Sequence, residues 1–196
     1  MLTAIPQKDE SVTMKKLCIF GGSSSGHDPA AVDQAKRIGG MAAARGFGIV
    51  FGGGRIGMMG AVSDAACEAG GFVHGVIPEF LKNLEVASES VTRLTVTQTM
   101  HERKTIMYAE SDAFIALPGG FGTMEEILEI ITWRQLRMHD KPIILFNPDG
   151  FWDPLITMFH QSSEKGFIRA QHLNLLDTAE TADEIADFLD QLAAGS

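Results

Sequence analysis

The sequence contains few cysteines, few basic side chains and no long apolar run. Cys18 and Cys67 are too few for a disulfide framework, and because each lies in an apolar segment, we expect two buried, reduced thiols. Sixteen Lys and Arg against 25 Asp and Glu give a net charge of −9, which argues against a protein that coats DNA or RNA. Residues 1–13 lack the apolar region of a secretion signal, and no later run is long enough to span a bilayer. We therefore expect a soluble cytoplasmic protein that begins with a flexible extension.

Signals for several kinds of catalysis and cofactor binding are weak or absent. None of the six histidines has another histidine four residues away or a cysteine partner, so we expect no metal site. No P-loop lysine follows a glycine cluster, so transfer of a γ-phosphate is not indicated. A pyridoxal-phosphate enzyme needs a Schiff-base lysine, and since only Lys104 and Lys141 lie near site motifs, we do not favour that chemistry.

Strand and helix signals alternate along the chain. Its 45% hydrophobic residues suffice for a buried core. Short apolar runs predict strands at "LCIF", "FGIVF", "FVHGVIP", "TRLTVTQT", "DAFIAL" and "KPIILFN", and amphipathic segments between and after them predict helices. The stretch "PEFLKNLEVASESV" is less regular and predicts a loop or a lid. We predict an α/β fold, a single Rossmann-like domain over residues 14–196 with a doubly wound parallel sheet and helices on both faces.

Glycines cluster at three of the predicted strand ends, in residues 21–26, 52–57 and 118–122. Ligands of such folds bind beyond the carboxyl ends of the strands, where backbone N–H groups at helix N-termini attract anions. We therefore expect an anionic small molecule, and a nucleoside monophosphate or sugar phosphate fits better than NAD.

The third cluster continues into two adjacent glutamates, in "LPGGFGTMEE". Thr123 followed by Glu126 has the spacing of a capping box, which would give both residues a purely structural role. Alternatively, one carboxylate faces a sugar beside the phosphate. Glu125 and Glu126 point about 100° apart on a helix, so they cannot flank one glycosidic bond as an acid/base pair. At most one of them performs chemistry.

With this motif the chain resembles the "lonely guy" (LOG) family of cytokinin riboside 5′-monophosphate phosphoribohydrolases, often mislabelled lysine decarboxylases. The family motif P-G-G-x-G-T-x-x-E matches completely at residues 118–126. The resemblance extends over most of residues 16–168, through "GGGRIGMMGAV" (52–62), "GVIP" (75–78), "MHERK" (100–104), "WRQLRMHDKP" (133–142) and "NPDGFWDPL" (147–155).

The resemblance implies an enzyme that cleaves the N-glycosidic bond of a cytokinin riboside monophosphate or of AMP, releasing the base and ribose 5-phosphate. It implies a homodimer that needs neither a metal nor an organic cofactor. Arg103 and Glu126 correspond to the catalytic pair. The implied substrate contacts are Glu85, Arg103, Lys104, Gly119, Gly120, Gly122, Thr123, Glu125, Glu126 and Thr132.

Two departures from the family pattern bear on these implications. Arg137 stands where the family usually has glycine, which bears on the substrate mouth or the dimer surface, and "GGSSSG" replaces the more common C-G-S. Two other functions stay open. A nucleotide-binding module that holds its ligand without cleaving it needs the glycines but not Glu126, and a phosphoribosyl or nucleotide-sugar transferase needs an acceptor pocket.

Overall fold

The computed structural model describes residues 14–82, 88 and 90–195. Seven parallel strands form one sheet in the order β4-β3-β2-β1-β5-β6-β7. The strands are β1 (Lys16–Phe20), β2 (Gly48–Phe51), β3 (Val73–Pro78), β4 (Arg93–Thr97), β5 (Ala113–Ala116), β6 (Ile143–Phe146) and β7 (Asp177–Ala179). The chain reverses its direction of travel across the sheet between β1 and β5, and this is the point where doubly wound folds bind ligands.

In the described part of the chain, six α-helices cover the two faces of the sheet. They are α1 (Pro29–Ala44), α2 (Gly57–Glu68), α3 (Met100–Glu110), α4 (Phe121–Gln135), α5 (Asp153–Glu164) and α6 (Ala182–Ala194), with short 3₁₀ helices at Glu79–Leu81, Pro148–Gly150 and Ala170–Leu175. One buried cluster joins the sheet to α1, α2 and α6, and a second joins its other face to α3, α4 and α5. The predicted Rossmann-like sheet with helices on both faces is confirmed.

Several helix ends follow directly from the sequence. Asp28 caps α1 by accepting a hydrogen bond from the Ala30 amide at 2.9 Å, and Pro29 occupies the first helical position. Gly46 follows α1 with φ +79°, a left-handed conformation that glycine adopts without strain. No described helix is both long and apolar enough to cross a bilayer.

Other sequence expectations need correction. The short strand β7 ("DTA") is missed because it has no apolar run. Cys18 is buried as expected, and burial raises the pKa of its thiol well above the ordinary value, but Cys67 is partly exposed. The predicted extension at residues 1–13 and part of the predicted loop or lid, residues 83–87 and 89, lie outside the described residues.

A polar cluster lies at the amino ends of the strands, opposite the carboxyl edge. The fully buried His74 contacts Glu110 through Nδ1 at 3.1 Å and Thr95 through Nε2 at 2.8 Å. Lys16 and Arg93 also pair with Glu110, at 3.0 and 3.2 Å. Burial lowers the pKa of His74, although the facing carboxylate opposes this. Burial alone would raise the pKa of Glu110, but hydrogen bonds and charges from Lys16 and His74 outweigh it and lower the pKa.

Candidate active site

The turns after β1 and β5 meet at the reversal point of the sheet. The Gly22 amide donates a 3.1 Å hydrogen bond to the Pro118 carbonyl. A Cβ at Gly119 would lie 2.8 Å from the Gly22 nitrogen and 2.1 Å from Thr123 Oγ1. Only glycine therefore permits this close approach of the two turns, which leaves the first turn of α4 at the edge of a cleft.

The three glycine clusters end at helix N-termini of different kinds. In α1, Asp28 already occupies the first turn. In α2, the Met58 amide donates to the Gly22 carbonyl at 2.9 Å. In α4 the N-cap is Gly120, and no side chain caps the helix. The first amides of a helix have no partner within it, so α4 is the helix whose N-terminus can offer them to an anion.

The capping-box interpretation of Thr123 and Glu126 is wrong. Helix α4 begins at Phe121, three residues earlier than the capping box requires, because Gly120 provides the extended N-cap conformation. Thr123 is therefore inside the first turn and Glu126 inside the second, and both are buried. Glu126 has no capping role.

Among the described residues, no atom gives Gly120 or Gly122 a steric reason to be glycine. A Cβ at either position would meet no atom within 4 Å, and neither has positive φ. Open space beside two glycines at an uncapped helix N-terminus is what a closely approaching ligand requires. The substrate contacts predicted for Gly120 and Gly122 are compatible with this open space and stay predictions.

Arg103 and Glu126 form a buried ion pair inside the cleft. Arg103 Nη2 lies 3.6 Å from Glu126 Oε1, with the two side chains 5% and 8% exposed. The same nitrogen donates to the Gly52 carbonyl at 3.3 Å. Among the described residues, Arg103 Nε has no hydrogen-bond partner although it is buried. A buried donor without a partner is one that a substrate oxygen or a water would satisfy.

Helix α3, which carries this arginine, has a side-chain cap at its N-terminus. Thr99 Oγ1 accepts from the Glu102 amide at 3.1 Å, and Glu102 Oε2 accepts from the Gln98 amide at 2.9 Å. In "MHERK", Glu102 is thus the structural carboxylate, and Arg103 on the next position turns inward to the cleft.

The second glycine cluster provides packing space. Residues 52–57 have the spacing G-x-G-x-x-G, which is also found in dinucleotide-binding turns. A Cβ at Gly52 would lie 2.0 Å from Arg103 Nη2, and one at Gly57 would lie 2.4 Å from the Ser23 carbonyl carbon. Gly52 therefore makes room for the Arg103 guanidinium, and Gly57 makes room for the turn at Ser23. The sequence pattern alone does not show either contact.

The first cluster shows no catalytic serine arrangement. Residues 22–26 have the spacing G-x-S-x-G of a nucleophile elbow. Ser24 Oγ instead accepts a 3.3 Å hydrogen bond from the Gly26 amide, and no histidine among the described residues bonds to it. Serine hydrolase chemistry has no support in this geometry.

Lys104 is held by two carboxylates. Its Nζ lies 2.5 Å from Glu125 Oε1 and 3.0 Å from Glu129 Oε2, and the lysine side chain is 12% exposed. Burial alone would lower the pKa of Lys104, but hydrogen bonds to Glu125 and Glu129 outweigh it and raise the pKa. The lysine is therefore a cation that joins α3 to α4, and its predicted contact with substrate stays a prediction.

The cleft brings together most of the candidate residues. Its cavity of about 200 Å³ is lined by Gly21, Gly22, Ser23, Met59, Met100, Arg103, Gly120, Phe121, Gly122, Thr123, Glu125 and Glu126. Gly119 lies in an adjoining hollow of about 590 Å³ on the other side of the same turn. Thr132 lies outside both, on the exposed side of α4 with its hydroxyl bonded to the Leu128 carbonyl, and Glu85 lies outside the described residues.

The sequence did not single out three side chains that line the cleft. Met59 and Met100 come from helices after β2 and β4, so only the strand order brings them here. Phe121 occupies the variable position of P-G-G-x-G-T and is 92% exposed. Its place inside the motif was the one signal that could have identified it.

Comparison with known proteins agrees with the motif. A family model described as "Possible lysine decarboxylase" matches residues 59–189. The chain is 46% identical over 181 residues to LOGL3 of Oryza sativa subsp. japonica, named a probable cytokinin riboside 5′-monophosphate phosphoribohydrolase, with 90% of this chain and 84% of that one covered. It is 42% identical over 179 residues to LOG3 of Arabidopsis thaliana, named a cytokinin riboside 5′-monophosphate phosphoribohydrolase, with 91% and 83% covered.

Solved structures share the fold at lower identity. The molybdenum cofactor binding protein from Rippkaea orientalis has a TM-score of 0.70 at 22% identity, with 93% of this chain and 99% of that one covered. The molybdenum cofactor carrier protein from Chlamydomonas reinhardtii has a TM-score of 0.71 at 22% identity, with the same coverage. These two show the fold alone. The family model and the identity to LOGL3 and LOG3 together show that this chain belongs to the LOG family.

Proposed function

We propose that the protein hydrolyses the N-glycosidic bond of nucleoside 5′-monophosphates, cytokinin riboside monophosphate or AMP, to the free base and ribose 5-phosphate. The observation that carries the proposal is the buried Arg103–Glu126 pair beside the uncapped N-terminus of α4. The names of the family relatives support the same reaction.

The phosphate end of the substrate fits the first turn of α4. The amides of Phe121, Gly122 and Thr123 lie at the positive end of the helix dipole, and the glycines leave space for phosphate oxygens. Such a local site is compatible with a net charge of −9, because a phosphate is held by nearby donors rather than by the charge of the whole surface.

The sugar end fits Glu126. As the bond to the base breaks, positive charge develops on the sugar carbon, and a nearby carboxylate stabilises it. Water adds to that carbon, and the base leaves with the bonding electrons and takes up a proton. Arg103 keeps its charge at all accessible pH values, so its role is to orient the carboxylate and to bind an oxygen of the substrate through Nε.

The test compares wild type with Glu126→Gln and with Glu129→Gln as a matched control. AMP and isopentenyl-AMP are the substrates, and free base is measured by chromatography. Glutamine keeps the size of the side chain but removes its charge, so Glu126→Gln should abolish base release. Glu129→Gln removes a partner of Lys104 that does not line the cleft, and it should stay active.

Two results would contradict this proposal. If Glu126→Gln releases base as fast as wild type, the carboxylate does not take part in the chemistry. If no variant, including wild type, releases base while AMP still binds, the protein is a nucleotide-binding module. The ratio between the two substrates reports the preferred base.

A homodimer and a cytoplasmic location are further parts of the proposal. The outer side of α4 carries the exposed Phe121 and Leu136, 92% and 62% exposed, with Thr132 between them. Thr132 lies about 13 Å along the helix from Thr123 at about 1.5 Å per residue, so within one chain it is too far to touch a phosphate held there. Burial of this apolar side in a second copy is what we expect. Leu136→Asp should then shift the mass measured by light scattering from dimer to monomer.

A further inference from the structure

A second concave site lies at the other end of α4. We call it the arginine hollow. It measures about 520 Å³ and is lined by Arg134, Gln135, Leu136, Arg137, Phe167, Arg169, Gln171, His172 and Leu175. Helix α4 has 15 residues and spans about 21 Å at about 1.5 Å per residue. The hollow is therefore far from the phosphate end of the proposed active site in the same chain.

The charges lining the hollow are of one sign. None of its lining residues is Asp or Glu, and among the described residues none of Arg134, Arg137 and Arg169 forms an ion pair. Arg134 donates one hydrogen bond, to the Leu175 carbonyl at 2.8 Å. Elsewhere the protein pairs arginines with carboxylates, as in Arg37–Asp183 and Arg45–Asp190. Like charges gathered without counter-charges repel each other, and an anion relieves this repulsion.

The backbone at Arg137 has a conformation that is strained for any residue with a side chain. The Arg137 amide bonds to the Arg134 carbonyl and the Met138 amide to the Trp133 carbonyl, which is the pattern of a Schellman C-cap. Arg137 itself has φ +60°, a left-handed conformation that suits glycine and strains other residues. Strained non-glycine residues cluster at functional sites.

We propose that the arginine hollow binds a phosphate-bearing small molecule at a site distinct from the cleft. Arginine forks recognise phosphate oxygens through paired, charge-assisted hydrogen bonds. The volume falls within the range of small-molecule sites. Phe167, which is 86% exposed, offers apolar surface for the rest of the ligand. This goes beyond the proposed phosphoribohydrolase activity and does not depend on it.

The test is titration calorimetry with inorganic pyrophosphate as the probe. Wild type is compared with Arg137→Gly/Arg169→Gln, and Arg37→Gln/Arg45→Gln is the control that removes two positive charges elsewhere. Because the first turn of α4 can bind the same probe, each titration is repeated in the Gly122→Ala background. Base release from AMP and the melting temperature are measured for every variant.

We expect the hollow variant to lose at least about tenfold in pyrophosphate affinity, since each lost charge-assisted pair contributes about that factor. The control should bind as wild type does, and base release should be unchanged in both. The proposal is overturned if the hollow variant binds pyrophosphate normally or if the control loses affinity equally. It is also overturned if base release falls in the hollow variant, because the arginines would then serve the cleft, including that of a second copy.

Discussion

Replacing Gly122 by alanine should stabilise the fold and, at the same time, weaken the enzyme. Gly122 is the second residue of α4, has ordinary helical φ and offers 4 Å of open space to a Cβ. Alanine is favoured over glycine inside helices by about 0.5–1 kcal/mol. For a chain of this size that gain raises the melting temperature by up to about 2–4 °C.

The same methyl group would enter the space assigned to the phosphate. Loss of one hydrogen bond to a charged group costs about 1.5–3 kcal/mol, or roughly 10- to 150-fold in kcat/KM. Stability and activity should therefore move in opposite directions. Few substitutions allow such a separation, because most damage to a site also loosens the fold.

Thermal unfolding and base release from AMP are measured on the same preparations. Gly119→Ala is the matched control, because its Cβ would lie 2.1 Å from Thr123 Oγ1 and should destabilise the fold by about 1–3 kcal/mol through overpacking. A Gly122→Ala protein with unchanged kcat/KM would refute the assignment of the phosphate to this turn. A lower melting temperature would show that the folded protein has no room for a methyl group at residue 122.

Three further outcomes are expected. In Gly52→Ala the Cβ would lie 2.0 Å from Arg103 Nη2, so base release should fall sharply. Circular dichroism should show little loss of secondary structure. Normal turnover would contradict the role of Arg103. Arg137→Gly should raise the free energy of unfolding by about 1 kcal/mol in urea melts, because glycine suits φ +60°, and no gain would mean that the backbone there is unstrained. Acid should weaken the fold in two stages. The pKa of His74 is below its ordinary 6.5, so the unfolded chain binds a proton before the folded chain does as the pH falls below 6.5, and the free energy of unfolding decreases. The lowered pKa of Glu110 decreases the free energy of unfolding further below about pH 4.5. His74→Gln should flatten the change in urea midpoint between pH 7.5 and 5.5, and an unaltered slope would mean that another group titrates.

The sequence determined the features that depend on neighbouring residues. Alternating apolar runs and amphipathic segments were sufficient for a doubly wound sheet, and Asp28, Pro29 and Gly46 marked the ends of α1. The motif "PGGFGTMEE" identified the turn that carries the candidate phosphate site. Each of these signals is local, because capping, turn formation and strand propensity involve groups only a few residues apart.

Tertiary structure decided which residues meet. The capping box proposed for Thr123 and Glu126 failed because the N-cap of α4 is Gly120, three residues earlier, in a turn shaped by contact with Gly22. Thr99 caps α3 through the same spacing to Glu102, and a spacing alone does not tell where a helix begins. From the sequence, Gly52 resembled part of a phosphate-binding turn. In the structure it makes room for the guanidinium of Arg103.

Both proposed sites illustrate the same division. The sequence supplied Arg103 and Glu126 as candidates. Only the parallel order of β2, β1 and β5 puts the first turn of α3 against the first turns of α4 and buries the pair. The arginine hollow left no pattern in the sequence, because Arg137 and Arg169 come from separate segments and acquire a shared surface only when the chain packs. Neighbouring residues determine capping and turns, and these can be predicted from the sequence. Proximity between distant segments depends on strand order and packing.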